Sequence, residues 1–379
     1  MQVTPLRVLM VCARYLPDMG GIEMHVYEVA KRLAALDEFD ITVLATDRSQ
    51  SRPTNELVDG VRIMRVPAWP ENRDYYFAPA VASVVAQPRE WDLVHCQGIH
   101  TPVPILAMRA AARVKLPYAV TFHTGGHTLR HRNALRSLQW RLISPMLRQA
   151  DFLIAVSRFE AEQLAVQARL GDKPIRIIPN GGTLPTPPSG TQVVPGRIVS
   201  PGRLERYKGH HRVIEALPHV MRQLPEAHLV ILGQGSYRVE LRALAKRLGV
   251  SDHVTIRHVE PADRMGMAVA LAEASVVASF SDYEAHPVAV MEAVGAGRPV
   301  VGYACSGVGE LVNEGLVLGM TPGTSAPDAA RDLVRAMTQQ DVRTPPEIPT
   351  WDTTAGQLAA AYGQVRDSRQ VVNALGTSL

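Results

Sequence analysis

Two carboxylates, Glu284 and Glu292, stand eight positions apart in the run Ser281-Asp-Tyr-Glu-Ala-His-Pro-Val-Ala-Val-Met-Glu292. His286 and Pro287 break a helix and Val288 to Val294 reads as the first turns of one, so Glu284 falls in a loop and Glu292 on the helix. A carboxylate can accept from two vicinal hydroxyls of a polyol, and amides that open a helix can receive phosphate. Pro287 has no N–H, which leaves the amides of Val288 and Ala289 for that task. Upstream, Arg203 and Lys208 lie five apart between Gly202 and Gly209. Arg offers a planar fork and Lys a point charge, and both suit a diphosphate on which negative charge grows. Taken singly these residues are ordinary. Glu292 also reads as an exposed helix carboxylate, and Arg203 and Lys208 are two of 40 basic residues.

The elements that must hold them come in two α/β halves. Arg7–Cys12 is a nearly continuous apolar strand, Glu23–Leu36 a helix and Ile41–Ala45 the next strand, a βαβ unit that implies a parallel sheet. Asp92–His95, Tyr118–Phe122 and Phe152–Val156 read as further strands, and Ser157-Arg-Phe-Glu160 as a helix cap. The stretch 183–196, with four prolines and two glycines, reads as a linker, after which strands and helices restart at Arg197. Trp351–Val365 reads as a final helix. Ligands of open parallel sheets bind beyond the carboxyl ends of the strands. That directs attention to three loops: Gly20-Gly21 after the first strand, where amides can approach a ligand, Gly233 in Leu232-Gly-Gln-Gly235, and His123 at the end of Tyr118–Phe122. Paired glycines also make simple turns, and a lone histidine is commonly structural.

Composition bounds the rest. A chain of 379 residues, 46% hydrophobic and 20% charged, is long enough for two or three globular domains. Cys12, Cys96 and Cys305 are too scattered for a disulfide framework or a zinc ribbon. No clustered His and Cys ligands or Asp-X-Asp motif predicts a metal site. The start at Met1-Gln-Val-Thr-Pro5 lacks leader features, and no run of 18 apolar residues predicts a membrane span, so the expected location is cytoplasmic. Between Leu93 and Ala150 there is no Asp or Glu against eight Arg and Lys. From Leu129 to Arg148 the spacing of Leu135, Leu138, Leu142 and Met146 predicts an amphipathic helix flanked by Arg130, Arg132 and Arg136. Three readings stay open for that basic side: a solvated face, an anionic acceptor, or an anionic membrane surface.

From Arg7 to about Val312 this order of motifs resembles the retaining glycosyltransferases of family four. The resemblance implies a GT-B fold, two Rossmann-like parallel-sheet domains facing across a cleft, with the C-terminal helix crossing back to the N-terminal domain. Its division here would be 1–182 for an acceptor domain completed by a helix within 351–379, 183–196 for the linker, and 197–350 for a nucleotide-sugar donor domain. It assigns Arg203 and Lys208 to the donor diphosphate, Glu292 to the nucleotide ribose and Glu284 to the transferred sugar, places His123 toward that sugar, and puts a glycine-rich loop at Gly20-Gly21. It further implies retention of anomeric configuration, with the leaving phosphate oxygen taking the acceptor proton, and a nucleoside diphosphate sugar, UDP- before GDP-, as donor. We expect no obligatory cofactor or divalent ion and no nucleic-acid partner. The acceptor hydroxyl is expected either on an anionic or lipid-linked molecule of bacterial envelope synthesis, with peripheral contact to the inner face of the membrane, or on a small metabolite.

The pattern departs from the family at His286-Pro287, where Phe-Gly is usual, and at Asn180-Gly-Gly-Thr183, which lacks an acidic residue. A nicotinamide oxidoreductase is disfavoured because Arg238 stands where the third glycine of the fingerprint belongs. A non-catalytic sugar-nucleotide-binding protein and a nucleotide-sugar epimerase remain as alternatives to the transferase.

Overall fold

Leu6–Val11 (β1) is buried on both faces, as a central parallel strand must be. The computed structural model describes residues 4–18, 20–71, 76–124, 132–260, 262–338 and 347–376. They divide into two units: one holds the described residues of 4–124 and 132–180 with the segment from Trp351, the other Gly181–Thr350.

In the first unit β1 leads through Gly21–Ala34 (α1) to Phe39–Asp47 (β2), then to Asn55–Val58 (β3), Val61–Pro67 (β4), Ala80–Val85 (α2) and Leu93–Gln97 (β5). Pro102–Arg113 (α3), Tyr118–Thr121 (β6), Arg132–Gln149 (α4), Phe152–Ala155 (β7), Arg158–Gln167 (α5) and Ile175–Ile177 (β8) complete it. The strand order is β3-β4-β2-β1-β5-β6-β7-β8, and every pairing is parallel except β3 with β4. Ser157 caps α5, its hydroxyl accepting from the Glu160 amide at 3.1 Å, as its spacing predicts.

The second unit runs Arg197–Pro201 (β9), His210–Met221 (α6), His228–Leu232 (β10), Arg238–Arg247 (α7), Val254–Arg257 (β11), Arg264–Ala272 (α8) and Val276–Ser279 (β12). Val288–Gly295 (α9), Val300–Tyr303 (β13), Ser306–Asn313 (α10), Leu318–Met320 (β14) and Ala326–Thr338 (α11) follow. All its pairings are parallel, in the order β11-β10-β9-β12-β13-β14. Alternation along the strands divides its core between the two faces: Ile198, Leu229, Ile231 and Ala278 on one, Val199, Val230, Leu232 and Val277 on the other.

Both sheets reverse direction at one point. The chain builds outward from β1 through β2 and β4, then restarts on the other side with β5; in the second sheet β9, β10 and β11 are followed by β12 on the opposite flank of β9. At such a point consecutive crossovers leave on opposite sides and open a crevice above the strand ends, where ligands bind.

The last helix, Trp351–Gly376 (α12), returns to the first unit as expected from the resemblance. Trp351 and Tyr362 are buried there, Tyr362 meeting Phe39 and Phe152 at ring distances of 6.0 and 6.3 Å. The Thr354 hydroxyl donates to the Pro179 carbonyl at 2.8 Å. Because Trp351 anchors the start of that return, Trp351→Ala should lower stability by about 3–5 kcal/mol, read from the midpoint of a urea unfolding curve.

Candidate functional site

In the second unit the chain leaves β9 as Gly202-Arg203-Leu204-Glu205, makes a 3-10 turn at Arg206–Lys208 and enters α6 at Gly209. Gly209 has φ +74°, and an added Cβ would sit 2.0 Å from the Phe280 carbonyl oxygen, so only glycine lets this loop lie against the end of β12. That approach brings Lys208 to Glu284. The Lys208 ammonium donates to both Glu284 carboxylate oxygens, at 2.6 and 2.8 Å, and each side chain is 15% exposed. The Ser281 hydroxyl donates to Glu284 Oε1 at 2.8 Å. The Glu284 backbone is also tied, its amide to the Ser306 hydroxyl at 2.9 Å and its carbonyl to the Gly307 amide at 2.7 Å.

Arg203 stands beside this pair with its side chain 54% exposed. Its guanidinium donates to the Tyr207 hydroxyl at 2.6 Å and meets Glu205 at 2.8 Å. Both cations lie near the Tyr207 ring, 5.9 Å from its centroid to the Arg203 guanidinium carbon and 5.4 Å to Lys208 Nζ. His210 steadies the loop between the Ser200 hydroxyl at 2.8 Å and the Arg203 carbonyl at 3.2 Å, and burial pushes its pKa down to about 4, so it is neutral at pH 7. Gly233, after β10, packs so closely on Gly202 that a Cβ would fall 1.9 Å from the Gly202 carbonyl oxygen.

Glu292 sits one helical turn into α9, only 3% exposed, and pairs with the Arg264 guanidinium at the start of α8. Pro287 precedes α9, and the amides of Val290 and Met291 return to its carbonyl at 3.0 and 3.1 Å. The Val288 and Ala289 amides, which lead the helix, lie outside the intrahelical ladder. The crevice between β9 and β12 therefore gathers two cations, a carboxylate already set on one of them, and a helix start followed by a second carboxylate. Such a set can hold a phosphorylated polyol.

The first unit contributes a different chemistry at its own strand ends. Gly20 and Gly21 open α1, and the buried Glu23 folds back so far that a Cβ on Gly20 would lie 2.8 Å from its Oε2. His123, just past β6, is 7% exposed and holds φ +47°, a left-handed conformation that is uncommon outside glycine. Its Nε2 lies 2.9 Å from Gln97 Oε1, and its carbonyl accepts from His100 Nε2 at 3.0 Å. The His25 ring from α1 meets it edge-on at 4.6 Å, with His25 Nδ1 2.8 Å from Asn180 Oδ1. Burial pushes the pKa of His25 to about 4 and of His95 to about 3, and that of His123 down as well.

Of the expected basic face, Arg130 lies outside the described residues, and Arg132 and Arg136 are placed only as positions in the first turns of α4. Sequence reasoning missed Arg264, Ser281, Tyr207, Gln97 and His95. Ser281 carried a local signal, a hydroxyl three positions before a loop carboxylate. Arg264 carried none, being 28 residues from its partner.

Two outcomes follow. Arg264→Met leaves Glu292 buried without its cation and should cost about 3 kcal/mol, most of it recovered in Arg264→Met/Glu292→Leu, as read in a double-mutant unfolding cycle. For the buried histidines the folded pKa lies below the unfolded value of 6.5, so the unfolded chain binds more protons as pH falls. Stability should be full above about pH 6.5 and decline toward pH 4 by up to about 1.4 kcal/mol per pH unit for each histidine, less steeply in His25→Gln, measured by urea unfolding between pH 7.5 and 4.5.

Residues 19–182 match Glycosyltransferase Family 4 and residues 190–344 match Glycosyl transferases group 1, which together take in most of the chain. The D-inositol 3-phosphate glycosyltransferase of Nocardiopsis dassonvillei is 28% identical over 392 residues, covering 91% of this chain and 90% of its own. Among solved structures, sucrose-phosphate synthase from Thermosynechococcus elongatus superposes with a TM-score of 0.74 at 20% identity, covering 96% of this chain and 100% of its own. Anabaena HepE in complex with UDP-glucose gives 0.69 at 20%, covering 99% and 100%. The sequence matches and the two parallel-sheet units agree: this chain belongs to the family-four glycosyltransferases.

Proposed function

We propose that the chain transfers a hexosyl group from a UDP-sugar, with retention of anomeric configuration and without an obligatory divalent ion, to a hydroxyl of a phosphorylated polyol or lipid-linked acceptor. The observation that carries the reading is the Lys208–Glu284 pair at the reversal of the second sheet, with Arg203 beside it and α9 opening next to it. Loss of the nucleotide puts growing negative charge on the diphosphate. Arg203 and Lys208 supply fixed positive charge to it, the role a metal ion plays elsewhere, and the Val288 and Ala289 amides add donors. Glu292 accepts from the ribose hydroxyls, and Glu284, held by Lys208 and Ser281, from a hydroxyl of the sugar. The same reading gives His123 and the Gly20-Gly21 loop to the donor sugar. The leaving phosphate oxygen takes the acceptor proton, so no protein nucleophile is needed.

UDP is favoured because Anabaena HepE is described in complex with UDP-glucose. An anionic acceptor is favoured by the acid-free stretch 93–150 and by the relative named for inositol 3-phosphate. No helix among the described residues is long and apolar enough to cross a membrane. A cytoplasmic location is part of this proposal, with the acid-free segment 129–148 as the stretch that would meet an anionic lipid.

In a thermal-shift panel of UDP, GDP and ADP, UDP should raise the melting temperature of the native protein, and Glu292→Ala should weaken that binding about tenfold or more. Arg203→Ala should chiefly lower turnover, read as UDP release from UDP-glucose in the presence of acceptor. Loss of turnover on adding a chelator, restored by magnesium, would overturn the metal-independent reading; turnover of donor without any acceptor would favour an epimerase.

A further inference from the structure

His95 and Gln97 are two residues apart on β5, so both side chains leave the same face of the sheet. Gln97 Oε1 lies 2.9 Å from His123 Nε2, and Gln97 Nε2 lies 3.2 Å from His95 Nδ1. The same His95 nitrogen lies 2.5 Å from the Tyr362 hydroxyl on α12, and His95 Nε2 lies 2.7 Å from the Thr121 hydroxyl on β6. Every member of this chain is buried.

The donor inventory gives the chain a direction. An amide oxygen only accepts, so His123 must carry its proton on Nε2 and keep the lone pair on Nδ1. An amide NH2 only donates, so His95 Nδ1 is an acceptor, its proton is on Nε2, and that proton goes to Thr121. A Tyr362 hydroxyl that donates to the same His95 Nδ1 matches the orientation of Gln97 that protonates His123 on Nε2. Burial supports the scheme by disfavouring imidazolium at both positions. The backbone is fixed as tightly. His123 keeps φ +47°, and the next residue, Thr124, donates through its amide and its hydroxyl to the fully buried Glu160 carboxyl, each at 2.5 Å. A side chain held in a sparsely populated conformation and in one tautomer is pre-organised for something.

We propose that Gln97, backed by His95 and by Tyr362 of the C-terminal helix, is a positioning residue that holds His123 as the Nε2–H tautomer, so that Nδ1 serves as an acceptor for a hydroxyl of the transferred sugar. The second half of this assignment rests on the reading of His123 as a residue facing the donor sugar. The C-terminal helix then has a chemical role besides packing, because its tyrosine sets the polarity of a hydrogen-bond chain that ends on a site residue.

The test uses the full chain labelled with 15N-histidine, in which ring-nitrogen shifts report the tautomer, with His123 assigned by its loss in His123→Gln. Calorimetry with UDP and with UDP-glucose as probes isolates the gain due to the sugar. We expect the Nε2–H form in the native protein. In Gln97→Leu that form is lost and the UDP-glucose gain falls about fivefold while UDP affinity is unchanged. Gln97→Glu, which still accepts from His123, keeps the tautomer and restores the gain, and Tyr362→Phe, which leaves the β5 side chains in place, shifts the tautomer in the same direction as Gln97→Leu. An Nε2–H His123 that persists in Gln97→Leu overturns the proposal whatever the donor is. A tautomer that responds while the UDP-glucose gain does not overturns the positioning role. Failure of the native protein to bind either probe counts against the transferase reading itself, and the tautomer shifts, which need no donor, keep that failure separate.

Discussion

A parallel sheet whose order reverses leaves one gap between neighbouring crossovers, and the Lys208–Glu284 pair of the second unit is built at that gap. β9 and β12 are adjacent strands separated by about half the unit's sequence, and their outgoing loops meet there. Contact at Gly209 and Phe280 brings the loops to backbone distance, and the Lys208–Glu284 pair forms as a consequence. A pair so placed is costly to break and easy to exchange. Its charges are partly desolvated, yet in the proposed reaction a diphosphate would supply new acceptors for the lysine while sugar hydroxyls would supply new donors for the carboxylate.

The two sets of strand ends handle buried polarity differently. Around β9 and β12 charges are kept and paired, Lys208 with Glu284 and Arg264 with Glu292. Past β5 and β6 charge is removed instead: His25 of α1, His95 and His123 have pKa values pushed down by burial, and amide and hydroxyl groups satisfy Nδ1 of His25, both ring nitrogens of His95 and Nε2 of His123. The difference follows the chemistry each would serve. Stabilising a departing diphosphate needs net positive charge, whereas orienting neutral hydroxyls needs fixed dipoles in fixed tautomers.

Much of this was legible in the chain. The strand at Leu6–Val11 announced itself by unbroken apolar character, because a central parallel strand meets helices on both faces. Ser157 as a cap and the start of α9 after Pro287 were readable because caps and prolines act within a few residues. The loop carrying Arg203 and Lys208 and the loop carrying Glu284 were each visible as a local cluster. Their meeting was not, since nothing in either loop states its distance from the other.

The amino-acid sequence by itself determined the local elements, the breakers that end them and the residue types able to bind phosphate and polyol, because propensity, periodicity and capping are short-range effects. The tertiary structure alone decided the partners. Arg264 reaches Glu292 across 28 residues and Tyr362 reaches His95 across 267, and both contacts exist only because helices are packed against sheets assembled from distant strands. Hydrogen-bond direction, tautomer and the neutrality of buried histidines follow from that packing, since desolvation depends on what covers a group and not on its neighbours in sequence.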